Sequence, residues 1–222
     1  MLYIGSDVSY KCRETLKKLN IPFEVMPQNA SLPSPVCTHP DMSAVTIQGR
    51  LFSAGDMARF FAAVDTGETF GDRYPYDVIF NGFEIGGNLV CNENSFSKAV
   101  LQFATDNGMR VINVNQGYAK CSTLVLGNKG VITADRSIAK ALEGVCKVLL
   151  IEAGGILLPP YNFGFIGGAS FIIGKTVYFF GNICNHRNCD MILNFISECG
   201  FNAISLSDEP LFECGGGIYT DE

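Results

Sequence analysis

The sequence has no cluster of basic residues, and Lys17-Lys18 is its sole adjacent Lys/Arg pair. Acidic residues outnumber basic ones, 22 to 16, which gives a formal net charge of −6. Recognition of nucleic acid phosphates needs a basic face. The sequence therefore predicts no nucleic acid partner.

Long hydrophobic runs are missing as well. No segment reaches about 18 consecutive apolar residues, so no membrane span is predicted. The N-terminal sequence MLYIGSDVSYK lacks the basic region and long apolar region of a signal peptide. Nine cysteines, an odd number, lie mostly in apolar runs, where a free thiol packs as a small hydrophobe. These features predict a cytoplasmic protein with reduced cysteines.

Cofactor and metal motifs are absent too. The glycine corners IGGN at 85–88, IGGA at 166–169 and CGGG at 214–217 match neither the dinucleotide fingerprint nor a P-loop. Their glycines instead permit close backbone approach and expose N–H groups to anions. The C-x-H-x2-C spacing at 184–189 has no second cluster to complete four metal ligands. No cofactor and no metal is predicted.

What the sequence does contain is enough apolar residue, 47%, for a sizeable core. Its most regular stretch is Phe165–Asn182, where two apolar runs flank Gly174-Lys175. This pattern predicts a β-hairpin entered through the glycine pair 167–168. Further strands are predicted over Met42–Ile47 and Asp77–Phe80, with helices interspersed.

The order strand, strand, helix, strand recurs along the chain. Three copies span Met42–Phe80, Cys121–Ile151 and Ala169–Leu206, and Gly86–Val114 reads as a copy trimmed by one hairpin strand. A fifth copy combines the two termini, with Gly215–Thr220 as its first strand and Leu2–Ile4 as its second. Five units of about 44 residues are typical of circular arrays.

This repeat, the glycine corners and His39-Pro40-Asp41 together resemble the pentein (α/β-propeller) superfamily. The resemblance implies an α/β fold in which residues 1–222 form a single domain. That domain is a five-unit ββαβ propeller, closed by pairing Leu2–Ile4 with Gly217–Asp221. Closure of this kind leaves no open sheet edge at the termini. An ordinary α/β sandwich built of similar ββα pieces is the alternative.

The resemblance also implies a function. Penteins include guanidino-modifying enzymes such as arginine deiminase and the amidinotransferases, whose catalytic cysteine follows a late glycine corner. Here Gly215–Gly217 is followed by Thr220 and Asp221, while Cys214 precedes the glycines. The missing cysteine argues against this chemistry. Two hypotheses result: a binding site for a small molecule, an amine or guanidino compound, at the axis mouth, or a non-catalytic interaction module like the ribosome-binding penteins.

Alignment of the hairpins brings candidate catalytic residues to one end of the units. His39 and Asp41 enter one strand, and Cys121 enters another. Lys120 falls level with Asp41, and such a cation beside Cys121 favours the thiolate nucleophile. The alternatives are a loop histidine, a capping aspartate, a buried strand cysteine and a solvated lysine.

Ligand-binding roles are predicted for the polar residues of the same mouth. The candidates are Lys120, Glu84, Asn88 and Asp221, with Glu213 as a further member. A small-molecule ligand is the predicted partner, and nothing in the sequence sets the oligomeric state.

Overall fold

The structure is a computed structural model that describes residues 1–220. It is a mixed α/β fold in which short strands form small sheets. Its helices α1 to α6 are, in chain order, Tyr10–Lys18, Pro40–Ser43, Gly55–Phe60, Lys98–Asp106, Arg136–Ala141 and Cys189–Glu198. Its strands β1 to β17 are Leu2–Ile4, Phe23–Val25, Val45–Ile47, Arg50–Ser53, Val64–Asp65, Phe83–Ile85, Asn88–Cys91, Arg110–Asn113, Thr123–Leu126, Gly130–Thr133, Lys147–Leu150, Ile156–Leu157, Ser170–Ile173, Thr176–Phe179, Asn202–Ser205, Leu211–Phe212 and Gly217–Tyr219.

Five three-stranded sheets share one arrangement. Each central strand pairs antiparallel with one neighbour and parallel with the other, as in β3-β4-β5 and β13-β14-β15. A helix lies between the two parallel strands in every case, since parallel neighbours need a crossover. The remaining three sheets are β6-β7-β8, β9-β10-β11 and β17-β1-β2. The predicted order of strand, strand, helix, strand therefore occurs five times.

The two ends of the chain lie side by side. Strand β1 pairs antiparallel with β17, in a register that places Leu2 opposite Tyr219 and Ile4 opposite Gly217. The backbone N–H of Thr220 donates to the Met1 carbonyl at 2.9 Å. The predicted pairing of the termini is thus confirmed as far as Tyr219, and Asp221 lies outside the described residues.

The hairpin predicted over Phe165–Asn182 is also confirmed. Strands β13 and β14 pair antiparallel around Gly174, whose φ of +59° suits glycine. Val177 and Phe179 point into a core that helix α6 covers with Ile192 and Ile196, all fully buried or nearly so. This unit is therefore built as the apolar pattern indicated.

Three local predictions were wrong. Asp77–Phe80 is not a strand: Val78 and Phe80 fill the core from a loop, and the third strand of this sheet is the short, exposed β5. The strand predicted from Met42 begins only at Val45, because Pro40 starts helix α2, where its fixed φ suits the first turn.

The third error concerns the glycine pair at 86–87. Gly86 and Gly87 have φ values of +57° and +75° and form the tight turn between β6 and β7. This sheet consequently has both hairpin strands and is not trimmed. Its glycine pair lies at the opposite end of the hairpin from the corner at Gly167.

Across residues 1–220 the longest helix has ten residues, and no helix is long and apolar enough to cross a bilayer.

Candidate functional site

A cavity of about 320 Å³ opens where the segments that lead into four of the sheets converge. Helix α2 contributes one wall, the segment before β9 a second, the loop between β12 and β13 a third, and the segment before β17 the floor. We call it the Glu213 cavity. Its lining residues are Val36, Met42, Tyr118, Cys121, Leu158, Tyr161, Asn162, Phe163, Phe165 and Glu213.

Aromatic rings form much of this lining. The Tyr118 ring lies 6.5 Å from the Phe165 ring and 6.2 Å from the Tyr74 ring, measured between centroids. The Tyr118 hydroxyl donates a 2.9 Å hydrogen bond to Asp77 Oδ2, which fixes the ring against the cavity. Tyr161 and Phe163 stand at the opening, 52% and 41% exposed. The cavity is therefore a mainly apolar site with rings positioned for stacking.

Cys121 lies at the inner end of the cavity and is held by Asn81. The amide oxygen of Asn81 accepts from the backbone N–H groups of Lys120 and Cys121, at 2.8 and 3.1 Å. Its amide nitrogen donates to Cys121 Sγ at 2.9 Å and to the Asp41 carbonyl at 3.2 Å. One buried asparagine thus joins helix α2 to the segment before β9.

The Cys121 thiol contacts a carboxylate. It donates to Asp41 Oδ2 at 3.2 Å, and both residues are buried. Burial raises the pKa of Cys121 well above its usual value, and the negative charges of Asp41 and Glu213 raise it further. The prediction that Lys120 lowers this pKa is therefore wrong. Cys121 is a neutral thiol at the end of a buried hydrogen-bond chain.

Glu213 is the buried acid of the cavity, with only 2% of its surface exposed. Burial, and then the charge of Asp41, raise its pKa to about 8, while the Phe165 backbone N–H and the Lys120 cation oppose the shift. The carboxyl group packs against glycine: a Cβ on Gly168 would lie 2.5 Å from Glu213 Oε1. At neutral pH Glu213 is therefore mainly the protonated acid.

The glycine corner at 167–168 permits this packing. A Cβ on Gly167 would lie 2.3 Å from the Lys120 carbonyl oxygen and 2.4 Å from that of Thr123. The Gly168 backbone N–H donates to the Cys121 carbonyl at 3.0 Å, and the Gly168 carbonyl accepts from the Cys214 N–H at 3.1 Å. The close backbone approach predicted from glycine is confirmed at this corner.

His39 is buried, with 1% of its surface exposed, and it does not line the Glu213 cavity. Neither ring nitrogen has a hydrogen-bond partner among the described residues. Burial lowers the pKa of His39, although the charges of Asp41 and Asp7 oppose the shift. The imidazole is thus neutral at pH 7. Of the three predicted catalytic residues, Asp41 and Cys121 are in contact, whereas the His39 ring nitrogens bond to neither of them.

The predicted ligand-binding residues lie elsewhere. Lys120, Glu84 and Asp41 line a second cavity of about 240 Å³, the Glu84 cavity, between strands β3, β6 and β17. The Asn88 amide closes the hairpin turn by donating to the carbonyls of Ile85 and Gly86, at 3.1 and 3.0 Å. Asp221 is outside the described residues. Asp41 lines the Glu84 cavity and contacts Cys121, which lines the Glu213 cavity.

Within residues 1–220, no group of three or more His, Cys, Asp or Glu side chains is placed to hold a metal ion. Cys184 and Cys189 flank an exposed loop, and all nine cysteines are free thiols.

The chain belongs to a family described as a family of unknown function, DUF6873, whose model matches residues 3–218. No curated protein matches the chain.

Alkylation kinetics test the state of the Cys121 thiol. Iodoacetamide at pH 7.5 is expected to label Cys121 roughly a hundredfold more slowly than exposed Cys184, because burial and a raised pKa suppress the thiolate. Mass spectrometry of the digested protein reads each site. Full labelling of both sites in denaturant is the control. Equal rates in the native protein would instead show an activated Cys121.

Proposed function

We propose that this protein binds a small organic cation, an amine or a guanidino compound, in the Glu213 cavity. The observation that carries this proposal is the buried carboxyl group of Glu213 in a cavity otherwise lined by apolar and aromatic side chains. A cation that enters such a site donates a charge-assisted hydrogen bond to the carboxylate, and the faces of the aromatic rings attract its positive charge.

The charge around the cavity supports the same ligand class. Asp41 lies directly behind Cys121, so a second carboxylate contributes negative potential. Lys120 lines the Glu84 cavity and not the Glu213 cavity, although its charge acts on Glu213. An anion would meet two acids at low dielectric, which is unfavourable, whereas a cation satisfies them.

We also propose that the five three-stranded sheets form a pentein-like ring in a single domain. The pairing of β1 with β17 supports it, because one sheet is assembled from both termini. First strands of different units also lie against one another, β3 against β6 and β13 against β17. The likeness to the guanidino-modifying penteins is an analogy of fold, and it favours amines and guanidines as ligands.

The proposal is one of binding without thiolate chemistry. Cys121 is neutral, and burial also raises the pKa of Cys214 well above its usual value. A neutral thiol is a weak nucleophile. The exposed rings of Tyr161 and Phe163 favour a second candidate, a non-catalytic protein-interaction module that uses this opening.

Titration with benzamidine and its neutral isostere benzamide tests the first candidate. Benzamidine is expected to bind at least roughly tenfold more tightly, because the carboxyl groups reward positive charge. Glu213→Gln should reduce benzamidine binding to the level of benzamide. Glu209→Gln, which alters a carboxylate outside the cavity lining, should leave it unchanged. Equal affinities for the two compounds would contradict cation binding and favour the interaction module.

A further inference from the structure

The lining of the Glu213 cavity contains no lysine, arginine or histidine. Its polar side chains are the Glu213 carboxyl, the Cys121 thiol, the Asn162 amide and the hydroxyls of Tyr118 and Tyr161. Lys120 is the cation that acts on Glu213, and its side chain belongs to the Glu84 cavity. Among the described residues, the lining offers neutral hydrogen-bond donors but no cationic side chain that could neutralise an acidic group of a ligand.

The groups that face Glu213 come from every element around it. Asp41 on α2 contributes a negative charge, and Lys120 before β9 contributes a positive one. The Cys121 thiol donates to Asp41 Oδ2, and the backbone N–H of Phe165 donates to Glu213 Oε2. Burial is the largest influence and favours the neutral acid. The empty cavity therefore holds the Glu213 proton at neutral pH.

We propose that the ligand is a monocation with an apolar or aromatic body and no acidic group, and that Glu213 releases one proton to solvent as this cation binds. This inference rests on the proposed function. The O–H bond of the Glu213 carboxylic acid breaks, and the proton passes to the buffer. The carboxylate that remains pairs with the ligand cation, so the occupied cavity has the same net charge as the empty one.

Electrostatic repulsion between carboxylates explains why acidic ligands are excluded. With Glu213 ionised, a ligand that also carries a carboxylate would place a third negative charge beside Glu213 and Asp41, and no basic side chain of the described cavity lining offsets it. At low dielectric this repulsion is large. Arginine and other zwitterionic amino acids are therefore excluded, and aryl or alkyl amines, amidines and guanidines are accepted. The rings of Tyr118 and Phe165 favour a flat or apolar body.

Proton release also sets the direction of the pH dependence. Below the pKa of Glu213, about 8, the cation must displace a bound proton, so affinity rises with pH. The rise approaches tenfold per pH unit and levels off once Glu213 is ionised in the empty cavity. An amidine remains fully protonated across this pH range, so ionisation of the ligand does not contribute to the pH dependence of its affinity.

Two para-substituted benzamidines test the ligand class. Their carboxamide and carboxylate substituents have the same shape and differ in charge. The carboxamide compound is expected to bind at least roughly tenfold more tightly than the carboxylate compound. Equal affinities would overturn the inference about the acidic group. The preference for benzamidine over benzamide would still decide the proposed function separately.

Calorimetry tests the proton. Titration of benzamidine at pH 6.5 in phosphate and in HEPES should give different heats, since the two buffers take up a proton with different enthalpies. The difference is expected to correspond to nearly one proton released. It should disappear in Glu213→Gln and persist in Glu209→Gln. Equal heats in both buffers, with affinity constant from pH 6 to 8, would overturn proton release.

Discussion

The free energy of unfolding is expected to fall by about 4 kcal/mol between pH 5 and pH 8 through Glu213 alone. In the folded protein its pKa is about 8, and the ordinary value is 4.5. Folding therefore favours the protonated acid. This contribution is fully present below the unfolded pKa and is lost as pH rises through the folded one. Each unit of difference corresponds to about 1.4 kcal/mol.

Glu213→Gln isolates this effect. Glutamine keeps the shape and still accepts the Phe165 N–H hydrogen bond with its amide oxygen, but it has no proton to lose in this range. Urea unfolding is measured at several pH values with a reductant present. As pH rises, the free energy of unfolding of the wild type should fall relative to that of the variant. Glu209→Gln is the matched control and should follow the wild type. Parallel curves for wild type and Glu213→Gln would show that Glu213 is ionised in the folded protein.

The sequence predicts the framework where the apolar pattern is strong. Strands β13 and β14 follow two apolar runs around a glycine turn, and both were predicted correctly. The two-residue strand β5 was not found, since Val64 and Asp65 are exposed and carry no pattern. The apolar run at 77–80 was mistaken for this strand. Val78 and Phe80 are apolar because a buried loop fills the core, which a period-two pattern does not reveal.

The candidate site was predicted in part. Lys120 was expected level with Asp41, with Cys121 one residue further on, and the structure brings the Cys121 thiol into contact with Asp41. Asn81 was missed because this unit was predicted to begin at Gly86 and to lack a hairpin strand. When the hairpins are aligned by their turns, Asn81 lies four residues before the end of β6, as Ser122 does in β9. The correct alignment would have placed the Asn81 amide level with Ser122.

The acid state of Glu213 was beyond sequence reasoning for a different reason. A raised pKa depends on how completely the side chain is removed from water and on which charges surround it. The burial follows from the packing of Gly164 and Gly168 against the carboxyl group, and the surrounding charges are those of Asp41 and Lys120. The sequence supplies the glycines and the glutamate, but not their contact.

Asn81→Ala is expected to reduce the free energy of unfolding by about 3 to 5 kcal/mol. Asn81 is 1% exposed, and its amide oxygen is the hydrogen-bond acceptor for two backbone N–H groups, that of buried Cys121 and that of half-buried Lys120. Alanine leaves both donors without this acceptor, at about 1 to 3 kcal/mol each, and it also leaves a cavity. Urea unfolding measures the loss. Asn92→Ala, which removes an amide that makes two exposed hydrogen bonds, is the control and should cost less than about 1 kcal/mol.

Asn81→Asp separates the two halves of the amide. Aspartate keeps the acceptor oxygen for the N–H groups of Lys120 and Cys121, but it replaces the donor that faces Cys121 Sγ and the Asp41 carbonyl. A protonated aspartic acid restores that donor, and an ionised one adds charge beside Asp41 and Glu213. The variant should therefore be closest to wild type at acidic pH and lose stability as pH rises. If Asn81→Ala and Asn81→Asp were both as stable as wild type at pH 7.5, Asn81 would not be what holds Cys121 against Asp41.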